Sequence, residues 1–152
     1  MPKGRSLRIL LATLLAAAGA PAAVATTQGP SGALRVVVEN LRNDRGVVRL
    51  ALWNGPEGFT EREAALVILR RPAANGRVRF AFSDLPPGRY ALAGYHDENG
   101  NDRFDQTWIG WPDEGLGFSN GAWIGLLGAP SFQAAAVEVA AGAQTIVIAL
   151  RY

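Results

Sequence analysis

The chain reads as an all-β protein: a seven-stranded antiparallel β-sandwich with one long aromatic-rich loop at residues 97–132. Three observations predict this. Short β-branched or alternating runs recur along the sequence. Turns rich in Gly, Pro and Asn separate them. No long amphipathic helical stretch interrupts the series, a pattern expected of sandwiches rather than of α/β folds.

The N-terminus comes first. Lys3, Arg5 and Arg8 precede the apolar run Ile9 to Ala18, and small residues follow to Ala23-Val24-Ala25. This is the pattern of a secretory signal peptide cleaved after residue 25. The apolar run is about ten residues long, and spanning a bilayer takes about 20. A retained anchor is the less favoured alternative. The expected product is exported, periplasmic or secreted, with no transmembrane segment in the mature chain. Residues 26–33 read as a flexible leader, and residues 34–152 as one domain.

The strands follow in order. Leu34 to Leu41 is β-branched and partly alternating. Asn43-Asp44-Arg45-Gly46 is a turn, and Val47 to Trp53 is the expected hairpin partner. Asn54 to Phe59 is a loop, and Thr60-Glu61-Arg62-Glu63 offers a capped helical turn. Leu66 to Arg70 is the third strand, and Asn75-Gly76 is a turn signal. Arg77 to Phe82 alternates, with Val78, Phe80 and Phe82 on one face. Leu85-Pro86-Pro87-Gly88 breaks the chain before a fifth strand at Arg89 to His96. Two more strands lie at Ala136 to Val139 and Thr145 to Tyr152. Between Asp97 and Phe132 no strand is evident. That interval holds six Phe and Trp residues, too many for disorder, and an ordered excursion of this length is often functional.

Charge and composition exclude several classes. The chain has 15 Lys and Arg against 13 Asp and Glu. Three of the basic residues lie in the signal, so the mature chain is close to neutral and lacks the clustered basic face of a nucleic-acid binder. With no cysteine and one histidine, a typical zinc site cannot be built. Gly117-Phe118-Ser119-Asn120-Gly121 matches a nucleophile elbow, but the strand-turn-helix setting is missing.

The oxygen-rich run after the fifth strand is the candidate site. Counted from Asp97, oxygen side chains fall at positions 1, 3, 5 and 9: Asp97, Asn99, Asn101 and Asp105. This spacing wraps a hard cation, and calcium is the candidate ion. Position 6 is Asp102 where Gly makes the sharp turn, and position 12 is Trp108 where a bidentate Glu belongs. The alternative is an Asx-rich structural turn. His96 is a strand-end histidine that is either packed or titrating near neutral pH. Trp108, Trp111 and Trp123 either form a satellite core or stand exposed to contact a partner protein or glycan. Trp53 belongs to the core.

Several segments together carry a family resemblance. They are Asn43-Asp44-Arg45-Gly46, Gly55-Pro56-Glu57-Gly58-Phe59, Leu85-Pro86-Pro87-Gly88-Arg89-Tyr90, His96-Asp97-Glu98-Asn99-Gly100-Asn101, Gly117-Phe118-Ser119-Asn120, Pro130-Ser131-Phe132 and Ala149-Leu150-Arg151-Tyr152. They resemble the bacterial family catalogued as domain of unknown function 2141, over about residues 34–152. The resemblance implies an exported single-domain protein with no assigned activity. The Leu85 to Tyr90 segment is also similar to prealbumin-like and carboxypeptidase-regulatory-like sandwiches, so an immunoglobulin- or prealbumin-like arrangement is expected.

Three functions follow as expectations. The first is a non-catalytic exported binding module with a calcium loop at 97–105 and tryptophans that contact a partner or glycan. The second is a hydrolase or other enzyme using His96, Asp97, Asp102 and Asp105. The third is a purely structural envelope protein.

Overall fold

The computed structural model describes residues 31–74 and 76–152. The expected signal peptide and most of the expected leader lie outside the described residues. Eight strands are described: β1 (Gly32–Glu39), β2 (Val47–Trp53), β3 (Val67–Pro72), β4 (Arg77–Leu85), β5 (Gly88–Asp97), β6 (Gly115–Phe118), β7 (Val137–Val139) and β8 (Gly142–Ala149). A single helical turn, α1 (Phe132–Ala135), is capped by the Ser131 side chain, which accepts from the Ala134 amide. The protein is thus mostly β, as its alternating runs predict.

The strands form two sheets, one ordered β4-β1-β8 and the other β3-β2-β5-β6, with β7 paired to the start of β5. Residues from both sheets meet in one core. Leu34, Val36, Val38, Phe80, Phe82 and Ile148 face Val48, Leu50, Leu52 and Leu92 across it. Each fully buried aliphatic of this kind contributes roughly 1.5–3 kcal/mol. Val78, Phe80 and Phe82 all point inward, as their spacing requires.

Three expectations need correction. β1 and β2 do not form a hairpin. β1 pairs with β4 and β8, whereas β2 pairs with β3 and β5. The chain turns away after β1 at Asn40, which sits in the left-handed region at φ 67°, and crosses to the other sheet. A turn sequence looks the same whether it closes a hairpin or rounds a corner between sheets. The pairing is also not uniformly antiparallel: β1 and β8 run parallel from Gly32↔Gly142 to Glu39↔Ala149. Finally, the excursion after Asp97 contains β6, which pairs antiparallel with β5 from Ala93↔Phe118 to His96↔Gly115.

Glycine explains why β6 is hard to read. Gly115 and Gly117 are poor strand residues by propensity. Yet a Cβ on Gly117 would lie 2.8 Å from the Ala149 carbonyl oxygen, and one on Gly115 would strike the Tyr152 ring. The C-terminal segment packs directly on this strand, and Arg151 and Leu116 exchange two backbone hydrogen bonds of 2.9 Å. Close backbone approach, not flexibility, is what these glycines supply.

A second apolar cluster covers the outer side of the β3-β2-β5-β6 sheet. Trp53, Ala91, Leu116, Phe118, Phe132 and Ala135 form it. Phe59 packs edge-on against Trp53 at 5.3 Å and Phe132 at 5.8 Å. The Trp53 indole N–H also donates to the Glu61 carbonyl. These contacts fix the 54–65 segment and α1 against the sheet. Arg62–Ala64 forms the expected helical turn, but no side chain caps it, and Thr60 has φ 77°.

Candidate functional site: a cleft on the outer face of the five-stranded sheet

Strand alternation gives the sheet two unlike faces. On β2, Val48, Leu50 and Leu52 point into the core, so Arg49, Ala51 and Trp53 point out. On β5, Leu92 points in, so Ala93 and Tyr95 point out. Registered pairs place Ile68, Ala51, Ala93 and Phe118 in one row across the four strands. The next row holds Arg49, Tyr95 and Leu116. The centre of the first row is two alanines, which leave space above the sheet.

The 102–129 stretch folds back over that space. Phe104, Gln106 and Ile109 to Pro112 form one wall, Ile124 to Leu126 with Gly128 and Ala129 another, and Thr60 and Arg62 a third. The open cleft holds about 1080 Å³, just above the ordinary range for small-molecule sites. Two tight turns stand at its edge. The Gly110 amide bonds the Thr107 carbonyl, and Gly125 and Gly128 exchange backbone hydrogen bonds. Their tips hold Trp108 and Ile109, and Leu126 and Leu127. Trp108 is 97% exposed, and the two leucines are fully exposed.

One end of the cleft is polar. Arg49 is buried, with its Nε donating to Asp97 at 3.2 Å and its Nη2 paired with Asp102. Arg62 donates to the Asp102 carbonyl oxygen at 3.2 Å, and Arg103 lines the same end. Tyr95 packs edge-on against Phe104. Burial raises its pKa; the Arg49 charge partly offsets this, and the Asp97 charge reinforces it.

The 97–105 loop is a closed hydrogen-bond network. Asp97 is fully buried and its two oxygens already have four donors. Gly100 and Asn101 amides bond Oδ1, and the Asp102 amide and Arg49 bond Oδ2. The amide groups of Asn99 and Asn101 donate to Asp105 at 2.6 and 2.9 Å. Their oxygens accept from the Asn101 and Arg103 backbone amides. Glu114 closes the loop from outside, accepting the Glu98 and Asp105 amides. Burial raises the Glu114 pKa, the two backbone hydrogen bonds oppose the rise, and the Asp105 and Asp97 charges add to it.

In this arrangement the four expected ligands do not share one role. Asn99, Asn101 and Asp105 converge, but Asp97 faces inward and spends its lone pairs on the chain. Among the described residues no group of three or more acidic, His or Cys side chains is placed to hold a metal.

The expected enzyme cluster is also divided. His96 and Asp97 project from opposite faces of β5. The His96 ring is fully buried, with Nε2 2.7 Å from the Arg45 carbonyl and Nδ1 2.9 Å from the Tyr152 hydroxyl. A carbonyl only accepts, so Nε2 carries the proton. In the neutral ring Nδ1 accepts from Tyr152, whose oxygen accepts the Arg42 amide. Glu98 ties the same corner, accepting from Arg42, Asn43 and Arg45. Burial opposes its ionisation, but the hydrogen bonds from Asn43 and Arg42 outweigh that and lower its pKa. Asp102 serves Arg49, and Asp105 serves the two asparagines. Ser119, centre of the elbow-like motif, is fully buried. Its hydroxyl bonds the Ala135 carbonyl and accepts the Leu92 amide.

The tryptophans divide as well. Trp108 and Trp111 are exposed at the cleft edge. Trp123 is half-buried against the second apolar cluster, with the Arg151 guanidinium 4.7 Å from its ring centre. Sequence reasoning missed Arg49, Ala51, Ala93 and Tyr95. One signal was available: Arg49 is the single charge in the apolar strand Val47 to Trp53.

The described residues thus define a two-sheet β domain with a loop-walled, ligand-sized cleft on one outer face. The chain belongs to the family described as uncharacterized protein conserved in bacteria (DUF2141), whose model matches residues 36–147. No curated protein and no solved structure matches the chain.

Proposed function

We propose that the protein is an exported, non-catalytic binding module built on a β-sandwich, holding an apolar ligand in the cleft over Ala51 and Ala93. The observation that carries this reading is the small-residue floor beneath an aromatic-walled cavity. A sheet face meant only for packing would be filled by large side chains or covered by a helix. Here Trp53, Tyr95, Phe104 and Phe118 surround an open volume instead. Trp108 and Trp111 stand at its edge, where they can contact a ligand or partner. An uncharged apolar dye, N-phenyl-1-naphthylamine, tests it. Saturable fluorescence gain is expected with the wild type and none with Ala93→Trp, which fills the floor. No binding to the folded wild type would refute the reading.

In this reading the 97–105 loop braces the polar wall through its own hydrogen bonds, and calcium is not needed. Melting temperatures in millimolar calcium and in chelator are expected to coincide. A clear rise with calcium would show that an ion binds the native state.

A further inference from the structure

We infer that the cleft takes an amphiphile: an apolar chain or ring system over Ala51, Ala93 and Phe118, ending in one anionic group held by Arg62 and Arg103. This rests on the cleft being a binding site and adds the chemistry of what it binds.

The argument is one of charge and position. Among the described residues, the only acidic side chain lining the cleft is Asp102, against three arginines. Asp102 pairs with Arg49, and buried Asp97 pairs with Arg49 from behind. Those two carboxylates more than balance Arg49. Arg62 and Arg103 form no ion pair among the described residues. Both belong to the polar end. Arg62 bonds the Asp102 carbonyl, and Arg103 follows Asp102 in the chain. The row Ile68, Ala51, Ala93 and Phe118 carries no charge. Arg62 and Arg103 are exposed at that end of the cleft, so a ligand that is apolar throughout would leave both without an ionic partner. A fully polar ligand would waste the aromatic walls. A carboxylate or phosphate head on an apolar body satisfies both, since guanidinium pairs these oxygens in bidentate fashion.

The source of such an amphiphile is either free acid in solution or a lipid in a bilayer. The chemistry recognised is the same. The exposed Ile109 and Leu126 line the cleft, and Trp108 and Leu127 stand next to them in the same two turns.

The test is competition against the apolar dye, using laurate and 1-dodecanol, which share a chain and differ in the head. Laurate is expected to compete at least about tenfold better than dodecanol. The double variant Arg62→Gln/Arg103→Gln is expected to weaken laurate about tenfold, the worth of roughly one charge-assisted hydrogen bond, and to leave dodecanol unchanged. Arg79→Gln, on β4 of the other sheet, should change neither. Equal competition by acid and alcohol, unaltered by the double variant, would overturn the anionic head while leaving the cleft standing. Failure of the dye itself to bind would remove the cleft reading and this one with it. Co-sedimentation with phosphatidylglycerol vesicles separates the sources. Pelleting that laurate reverses marks a lipid, and laurate binding without pelleting marks a free acid; either supports the same head group.

Discussion

The two faces of β2 and β5 come from alternating residues of the same strands, and they do opposite things. The inner face carries Val48, Leu50, Leu52 and Leu92, all fully buried. The outer face carries Arg49, Ala51, Ala93 and Tyr95, and leaves about 1080 Å³ open above it. Hydrophobic spacing sets both faces, but side-chain volume separates them. Large aliphatics close a core, while small residues ringed by aromatics make a container. The difference teaches that, on the proposed reading, stability and binding can be changed separately in this sheet.

The largest expected effect is on the inner face. Leu50→Ala or Leu92→Ala should cost about 2–5 kcal/mol in denaturant unfolding, while protein that remains folded still binds the apolar dye. Nearly as large is Asp97→Ala on the polar wall. The cost should reach about 3–5 kcal/mol: Arg49 keeps only the solvent-facing Asp102 as a partner, and the Gly100, Asn101 and Asp102 amides lose their acceptor. That variant should also expose the 97–105 loop to proteolysis, since Asp97 holds three of its backbone amides.

Glu98 sharpens the comparison through pH. Glu98→Gln should cost about 1–2 kcal/mol at neutral pH, from weakened charge-assisted hydrogen bonds. The folded state lowers the Glu98 pKa below its ordinary value of 4.5. Its contribution is therefore complete above that value and is lost as pH falls through the folded pKa. The stability gap between wild type and variant should close in acid; a gap unchanged at pH 3 would refute the role of the charge.

The smallest stability effects belong to the cleft. Ala93→Trp should change stability by less than about 1 kcal/mol, because it enters open space rather than a packed core, yet abolish dye binding. Trp108→Ser should alter stability by less than about 0.5 kcal/mol, as expected of a surface side chain away from packing.

The sequence made the strands legible, because alternation at Val78, Phe80 and Phe82 and the turns at Gly46 and Gly88 are local signals. It did not reveal which sheet each strand joins. Gly46 marks a turn, but only the structure shows that a Cβ there would run into the Asp97 backbone. β6 was hidden because its glycines serve distant neighbours, Ala149 and Tyr152. The oxygen-rich loop was visible as a cluster, whereas its inward-facing Asp97 depends on buried Arg49, 48 residues earlier. The cleft was invisible for a similar reason. Ala51 and Ala93 are unremarkable alone, and they become a floor only when β2 and β5 set them opposite each other.

The central claim is that the outer face of the five-stranded sheet is the ligand site. Mapping backbone amide shifts by NMR while titrating N-phenyl-1-naphthylamine tests it most directly. The largest shifts are predicted at Ala51, Ala93, Tyr95 and Phe118. Shifts confined to β1, β4 and β8, or none at saturating dye, would contradict it.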